Sequence, residues 1–542
     1  MFSPLLGGEG ASKLNCTIMK TIYSIALMAS LSMTANAQDA YDALDLAVKD
    51  LNGTARFVGM GGALSALGGD ISVMHSNPAG TGLFRKSEFA VGAGAIVANQ
   101  GVLTQDRLKI KLDYMGAVFA IPTGDDDLSQ INIGIGIKDD RNYFTNLGVN
   151  VGGLYLYDRP AFSQTYQIAS YANVALEQNS WEGIGTLADI SAENPGKHEG
   201  ILALEEIIND KGNVVGTKYV GRPAQSAEYR RATSGSNTLC DLNLSANIGD
   251  KLFLGANLGI HWVNMQRLSE YSEDGIYRDS EGSDFYVNYL FENFYETTGY
   301  GSDFKVGMIL RPFDDSSFRV GFWYKTPTTY NLTDRNNTTL YYPKGGSYTC
   351  DSGDYEYKYS DPWAINISLG YTVGSQFAIG AEYEYQDFKN ARYESAYYDV
   401  LDVVYFRRIN EVVRGFAHGQ HTFRIGAEFK PVENISVRLG YNYIKSPYSL
   451  KGYKEVGFDS PHTETDWINW KDVQRITAGL GYRFNDKCYL DIAYQYHMQK
   501  GDFYAFNGYV NDDIVTGQDI FFPATEISAN RSRLNLTFGV KF

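Results

Sequence analysis

Cysteine is scarce in this 542-residue chain: Cys16, Cys240, Cys350 and Cys488 stand far apart, with no CxxC spacing. Neither a disulfide framework nor a zinc site is expected from them. Histidine numbers seven, and the one close pair, in His418-Gly419-Gln420-His421, has no cysteine or paired carboxylate beside it to complete a metal or haem ligand set. No motif assembles a Ser-His-Asp set either, so no catalytic residues are assigned. Cationic residues are outnumbered, 47 Lys and Arg against 63 Asp and Glu, for a net charge of −16. That balance argues against nucleic acid as a partner, since its binders carry basic patches. Past residue 37 there is no run of about eighteen apolar residues, so no transmembrane helix is expected.

What is present begins with an export signal. Met19-Lys20 forms a basic start, Ile22 to Met33 an apolar stretch, and Ala35-Asn36-Ala37 a small-residue cleavage site. Residues 1–37 are read as signal peptide with an upstream extension: translation is expected to begin at Met19, and the mature chain near Gln38. Lipidation of Cys16 is disfavoured, because Lys13-Leu14-Asn15 before it lacks small residues.

The chain exceeds the roughly 300 residues at which soluble cores split into domains, yet no linker composition interrupts it. Its 56 glycines, 41 tyrosines and 14% aromatics suit a membrane barrel of small luminal and interfacial aromatic residues. From Glu88 onward, segments with apolar side chains at every second position recur, as a wall with one lipid face requires. The last is the clearest: Leu534, Leu536, Phe538, Val540 and Phe542 alternate with polar or small residues. An aromatic carboxy terminus of this form resembles the signal read by the barrel-assembly machinery.

Six joins are short and polar, at Thr123 to Ser129, Gly249-Asp250-Lys251, Phe313 to Ser317, Gly374-Ser375, Pro431 to Asn434 and Asn485-Asp486-Lys487. Seven are long, near 100–111, 139–237, 268–300, 331–360, 392–419, 447–471 and 505–530. Alternation of short with long joins separates a periplasmic from an extracellular rim. The expected fold is therefore all-β, a transmembrane antiparallel barrel of about 14 strands over 88–542, in contact with outer-membrane lipid and lipopolysaccharide. Residues 38–87, rich in glycine and alanine, are read as a luminal plug. Residues 139–237 are read as a partly helical extracellular cap, with Ile201 to Asn209 helix-like.

Within the plug stands Gly68-Gly69-Asp70-Ile71-Ser72-Val73-Met74-His75-Ser76-Asn77-Pro78-Ala79-Gly80. Proline restrains its own φ and biases Asn77 to extended backbone, and the asparagine side chain bonds nearby backbone, so the tripeptide makes a stiff turn. Gly59-Met60-Gly61-Gly62 is not a dinucleotide fingerprint, because Leu64 occupies the third glycine's place; close packing in a crowded lumen explains these glycines instead. Asp70, Ser72, Asn77, Pro78 and Ala79, between a signal peptide and a first barrel strand, resemble the hatch motif of the long-chain fatty-acid and aromatic-hydrocarbon (FadL-like) family of outer-membrane transporters. His75 and Ser76 depart from it, standing where members often carry aromatics.

The resemblance implies a hydrophobic small-molecule substrate, no cofactor, capture by outer loops, and a kinked third strand that opens the wall sideways. Tyr286, Leu290 and Phe294 would share one face of a helix with Phe291 beside them, a capture stripe or a loop-packing one. In Ser129 to Asp140 the isoleucines would face lipid and Gly134 and Gly136 the lumen, placing a lateral opening near Gly134, Gly136 and Asp139. A general porin for polar solutes and a surface haem-binding or adhesive barrel are the alternative readings.

Overall fold

The computed structural model describes residues 46, 48–98, 108–125, 127–156, 159–160, 162–166, 169, 203–208, 211–278, 284–341, 347–398, 400–449, 466–506, 509–510 and 520–542. The expected signal peptide with Cys16, the start of the plug, and most of the cap between 157 and 202 lie outside them.

Fourteen antiparallel staves close into one barrel. They are β1 (Glu88–Ala98), β2 (Leu108–Pro122), β3 (Leu128–Asn142, resumed at Thr145–Asn150), β4 (Ala224–Ile248), β5 (Leu252–Arg278), β6 (Asp284–Leu310) and β7 (Arg319–Lys325, resumed at Thr329–Tyr341). β8 (Ser347–Ser360, resumed at Ala364–Val373), β9 (Phe377–Asp387, resumed at Arg392–Ser395), β10 (Gly419–Val432), β11 (Ile435–Ile444), β12 (Trp467–Arg483), β13 (Cys488–Tyr504) and β14 (Thr525–Ser528, resumed at Arg531–Lys541) complete the wall. Closure is by β14 on β1, in register from Glu88↔Lys541 to Ala98↔Arg531. The backbone N–H of the terminal Phe542 donates to Ser87 O at 2.9 Å and finishes that seam.

The period-2 pattern decides which side faces what. Ile133, Ile135, Ile137, Leu242, Leu244, Leu534 and Leu536 point outward and are exposed, whereas Asn132, Asp241, Asn243, Asn535 and Thr537 point inward and are buried. An apolar exterior around a polar interior is the arrangement a bilayer solvates and water does not. The six short joins are where the alternation breaks for polar turns. Gly249 and Asp250, both left-handed (φ 56° and 57°), form the two-residue turn between β4 and β5 whose twist matches the strands.

Four expectations are corrected by the outer half, and the join expected at 331–360 is one: it shrinks to 342–346, between the paired strands Thr329–Tyr341 and Ser347–Ser360. The join expected at 268–300 shrinks to 279–283, because β5 and β6 each run for 27 residues, far beyond the roughly ten that cross a bilayer. Cross-strand pairing continues to Arg278↔Asp284, and a run dense in Tyr, Phe, Val and Thr suits such a ladder better than a helix. Ile201 to Asn209 is likewise not helical: Ala203–Ile208 is a strand paired with Val214–Val220. The long helix lies elsewhere. Helix α1, Val400–Phe416, crosses the join between β9 and β10 and buries Asp402, Phe406, Ile409, Val413 and Phe416 over an aromatic cluster that includes Tyr357, Tyr359 and Tyr393.

The rims yield a topological prediction. In a cysteine-free background, single cysteines at Asp250, Asp315, Ser375, Glu433 and Asp486 should resist a membrane-impermeant thiol reagent on intact cells, while Tyr397 and Val400, each about three-quarters exposed, should react. Labelling of Asp486 but not Tyr397 would invert the barrel. Gly345 and His462, in the long joins expected near 331–360 and 447–471, lie outside the described residues.

Candidate functional site: plug, wall break and vestibule

Residues 51–84 are almost wholly buried and touch inward-facing side chains of nearly every stave. Ala55 N donates to Thr537 Oγ1 (2.8 Å), Thr477 Oγ1 to Gly59 O (3.1 Å), Ser65 N to Glu382 Oε1 (2.6 Å), and Thr81 Oγ1 to Asn243 Oδ1 (2.6 Å). The short helix Ala55–Gly59 is capped by Thr54, whose hydroxyl accepts from Phe57 N. At its base Arg56 meets Glu428 at 3.1 Å, and Glu428 also takes Arg438 at 2.6 Å.

Glycines in the wall make room for this backbone. Gly370, Gly380, Gly426 and Gly440 stand opposite one another across four successive staves, β8 to β11, and Gly255 stands opposite Gly307 on β5 and β6. A Cβ at Gly380 would lie 2.1 Å from Ala63 O, at Gly426 2.1 Å from Met60 O, and at Gly440 2.2 Å from Gly61 N. On the other side of the contact Gly61 is left-handed (φ 64°), and a Cβ there would lie 2.9 Å from Tyr441 N.

The residues of the hatch motif come together here. Asp70 caps the 3-10 turn Ile71–His75, accepting from Ser72 N (2.9 Å) and from Thr54 Oγ1 (2.8 Å), while Ser72 Oγ accepts from Thr54 N (2.6 Å). Asn77, fully buried, accepts from Ala79 N (3.1 Å) and donates to Ser65 O (3.0 Å) and Met308 O (3.2 Å), so one amide ties the turn to the plug body and to β6. Pro78 follows at the first position of the next 3-10 turn, and Ala79 packs on Phe253 and Ile309. Between the two turns, burial drives the His75 imidazole well below its ordinary pKa, with Lys138 and Lys305 adding to the effect.

Gly134 and Gly136 face inward against Met74 of the plug, but the wall does not open there. The β2–β3 ladder passes both without a break, through Val118↔Gly134 and Gly116↔Gly136, and stops at Tyr114↔Lys138. Beyond it β3 shifts register between Asp139 and Arg141 and turns Tyr143 and Phe144 inward; among the described residues no strand pairs with the β3-facing edge of β2 from Leu108 to Asp113, about 20 Å, and Asn52 Nδ2 donates to Asp113 O at its inner end (3.4 Å). Ile110 and Leu112 on that edge point outward and are 70% and 60% exposed. Phe144 covers the gap, packed on Ile96 with the Lys109 ammonium 5.6 Å above its ring, and Lys111 pairs with Asp139 across it.

Sequence reasoning missed the strap that lies along this break. Asp50 N donates to Asp140 O (3.0 Å), Asn52 Nδ2 to Asp139 O (2.9 Å), and Arg141 to Val48 O (3.1 Å), giving β3 the partners that β2 no longer supplies. Burial alone would raise the carboxyl of Asp50, but Arg531, with Arg475, Arg141 and Arg533 behind it, holds it well below the usual range. Above the strap opens a vestibule walled by Leu147, Met265, Ile444, Trp467, Ile468 and Trp470 among others.

The sequence-chosen capture residues are separated. Phe291 is buried among Tyr229, Tyr271, Tyr289 and Phe503, facing inward, whereas Leu290 and Phe294 lie half-buried on the opposite face of β6. For Tyr286 only the register, opposite Ile276, is described. A strand puts alternate residues on opposite sides, which is why a helical stripe does not survive. His421 bonds the Tyr383 hydroxyl at 2.8 Å in β10.

The architecture resembles that of solved hydrocarbon channels. The Pseudomonas putida toluene transporter TodX aligns at 13% identity and a TM-score of 0.47, over 91% of this chain and 99% of that one. A monoaromatic hydrocarbon channel, CymD, aligns at 11% and 0.47 over 91% and 99%, and a Pseudomonas aeruginosa FadL homologue at 12% and 0.46 over 92% and 100%. No protein-family model and no curated relative matches the chain.

Proposed function

We propose that this protein sits in the outer membrane of a Gram-negative bacterium and takes up hydrophobic small molecules such as fatty acids or aromatic hydrocarbons. The observation that carries the reading is the parting of β2 from β3 beyond Lys138. A gap in the wall bounded by Leu108, Ile110 and Leu112 is of no use to a polar solute, which needs a watery lumen. A hydrophobic solute gains by leaving sideways into lipid. Residues 48–87 act as the hatch that keeps the lumen closed to water, and the Asn77-Pro78-Ala79 turn keeps it stiff as it moves. Capture falls to the aromatic outer half, in which Phe291 faces the interior, and release to the edge between Asp139 and Phe144.

On this reading the apolar belt meets lipid and lipopolysaccharide, and β14 with Phe542 is the segment handed to the barrel-assembly machinery. The test is accumulation of a labelled long-chain carboxylate, a labelled monoaromatic hydrocarbon and a labelled disaccharide by cells with and without the barrel. Uptake of at least one of the first two, without the disaccharide, is expected; faster disaccharide uptake with neither hydrophobe admitted overturns the proposal. Replacing Asn77 and Pro78 by alanine should slow hydrophobe uptake without admitting the disaccharide, since the turn loses its φ restraint and three hydrogen bonds.

A further inference from the structure

At the rim of the short joins a cavity of about 160 Å³ lies between the base of the plug and staves β7 to β10. Arg56 of the plug, Arg319 of β7, Ser375 and Gln376 of the β8–β9 turn, and Glu428 and Lys430 of β10 help to line it. Its charges do not balance. Arg56 meets Glu428 at 3.1 Å and Asp70 at 4.0 Å, Lys430 meets Glu428 at 3.7 Å, and Arg438 is shared between Glu428 at 2.6 Å and Asp491 at 2.7 Å. Arg319 is the cation left over, with no carboxylate paired to it among the described residues. It points into the barrel, where Nη1 donates to the plug carbonyl Leu67 O at 2.5 Å. Its Nε is buried without an acceptor, and Nη2 has none among the described residues. That leaves open the edge through which a guanidinium grips an oxyanion at two points. The strongest electrostatic neighbours of Arg319 are Arg311 and Arg56, both of its own sign. Arg311, at the end of β6, gives one donor to Asp250 O (3.2 Å), and its buried Nε also lacks an acceptor. Buried donors and surplus charge of one sign are costly unless something else uses them.

We propose that this cavity binds a small free oxyanion, phosphate or a carboxylate, on the open edge of Arg319 with Arg56 and Lys430 around it, and that the bound anion fastens the base of the plug to the wall. Planar guanidinium forks take carboxylate and phosphate oxygens alike, and Lys430 adds a point charge from the far side. The three cations belong to three separate parts of the molecule, the plug, β7 and β10. An anion shared among them therefore ties the plug to two staves at once. Glu428 already reaches Arg56 from β10, and Arg56, Arg438 and Lys430, all within 3.7 Å of it, offset its repulsion of the guest. The site rests on the plug and the wall, and not on what the barrel carries.

Calorimetric titration of the full-length protein in lipid nanodiscs tests this with inorganic phosphate and with succinate, against chloride at matched ionic strength. At least one of the two should bind saturably, and which one does so separates a phosphate site from a carboxylate site. Arg319→Gln should weaken that binding at least about tenfold, corresponding to about 1.4 kcal/mol. Lys430→Gln should weaken it severalfold; this half-exposed side chain holds no plug carbonyl, so the result does not depend on how the Arg319 variant seats the plug. Lys251→Gln, at the same rim but outside the cavity, should bind like the wild type. In planar bilayers the bound anion, added on the side of the short joins, should make brief openings severalfold rarer in the wild type and have no effect on Arg319→Gln. No saturable binding of either probe, or unchanged affinity in Lys430→Gln, overturns the site. Binding that leaves the openings unaltered overturns its role in fastening the plug. Neither result bears on the uptake of hydrophobic molecules, which the labelled-solute experiment decides separately.

Discussion

Deleting residues 48–86 should leave a barrel that inserts and shows heat-modifiable gel migration, conducts ions severalfold better in planar bilayers, and sensitises cells to large polar antibiotics. Folding should survive because the ladders that close the wall, including β14 on β1, are made between staves and not through the plug. Conductance should rise because fourteen strands enclose a lumen intermediate between those filled by side chains and those of open porins. In this protein that lumen is crossed by a segment bonded to β4, β9, β12 and β14. The groups uncovered are polar and charged, Asn132, Asp241, Asn243, Glu382, Glu428 and Thr477 among them, so water would wet the passage at once. A deletion that inserts normally and conducts no better than the intact protein would mean that the segment does not close the pore.

A comparable effect should follow from two side chains placed in the glycine row. Gly426→Leu with Gly440→Leu places Cβ atoms 2.1 Å from Met60 O and 2.2 Å from Gly61 N, and both neighbours are backbone that a rotamer change cannot move. Overpacking of this kind typically costs about 1–3 kcal/mol per site. Here the barrel staves are held by their own ladders, so the plug is the part that yields. The variant should insert, lose several degrees of thermal stability, and leak like the deletion. Gly415→Ala on α1, where an added Cβ meets nothing within 4 Å, is the control, and should leave conductance unchanged while stabilising the helix by up to about 1 kcal/mol. Equal conductance of the double variant and the wild type would remove the glycine row from any role in seating the plug.

Some features were legible in the sequence and missed. The spacing of Asp402, Phe406, Ile409, Val413 and Phe416, alternating fours and threes, is the stripe of an amphipathic helix inside the long join expected near 392–419. The aromatic run from Asp284 to Tyr295 fits a helical stripe and a strand about equally well, since it carries large side chains at nearly every position. Only its pairing with β5 decides. Phe144 gave no signal at all, because covering a gap requires a gap, and the departure of β3 from β2 is a property of two strands and not of either.

The sequence by itself determined the number of staves, the side each one shows to lipid, and the rim at which each pair turns. It did so because alternation and turn chemistry are written within ten consecutive residues and a closed barrel leaves one way to satisfy them. It also determined that a small-residue segment precedes the wall, with a stiff turn at Asn77-Pro78. Only the tertiary structure decided that Gly380, Gly426 and Gly440 form one row, that β2 parts from β3 beyond Lys138 instead of at Gly134 and Gly136, and that Asp50 lies among Arg141, Arg475 and Arg531. Those residues are up to 481 positions apart. Their meeting depends on strand register and barrel curvature, which accumulate over every intervening hairpin and have no local signature in the chain.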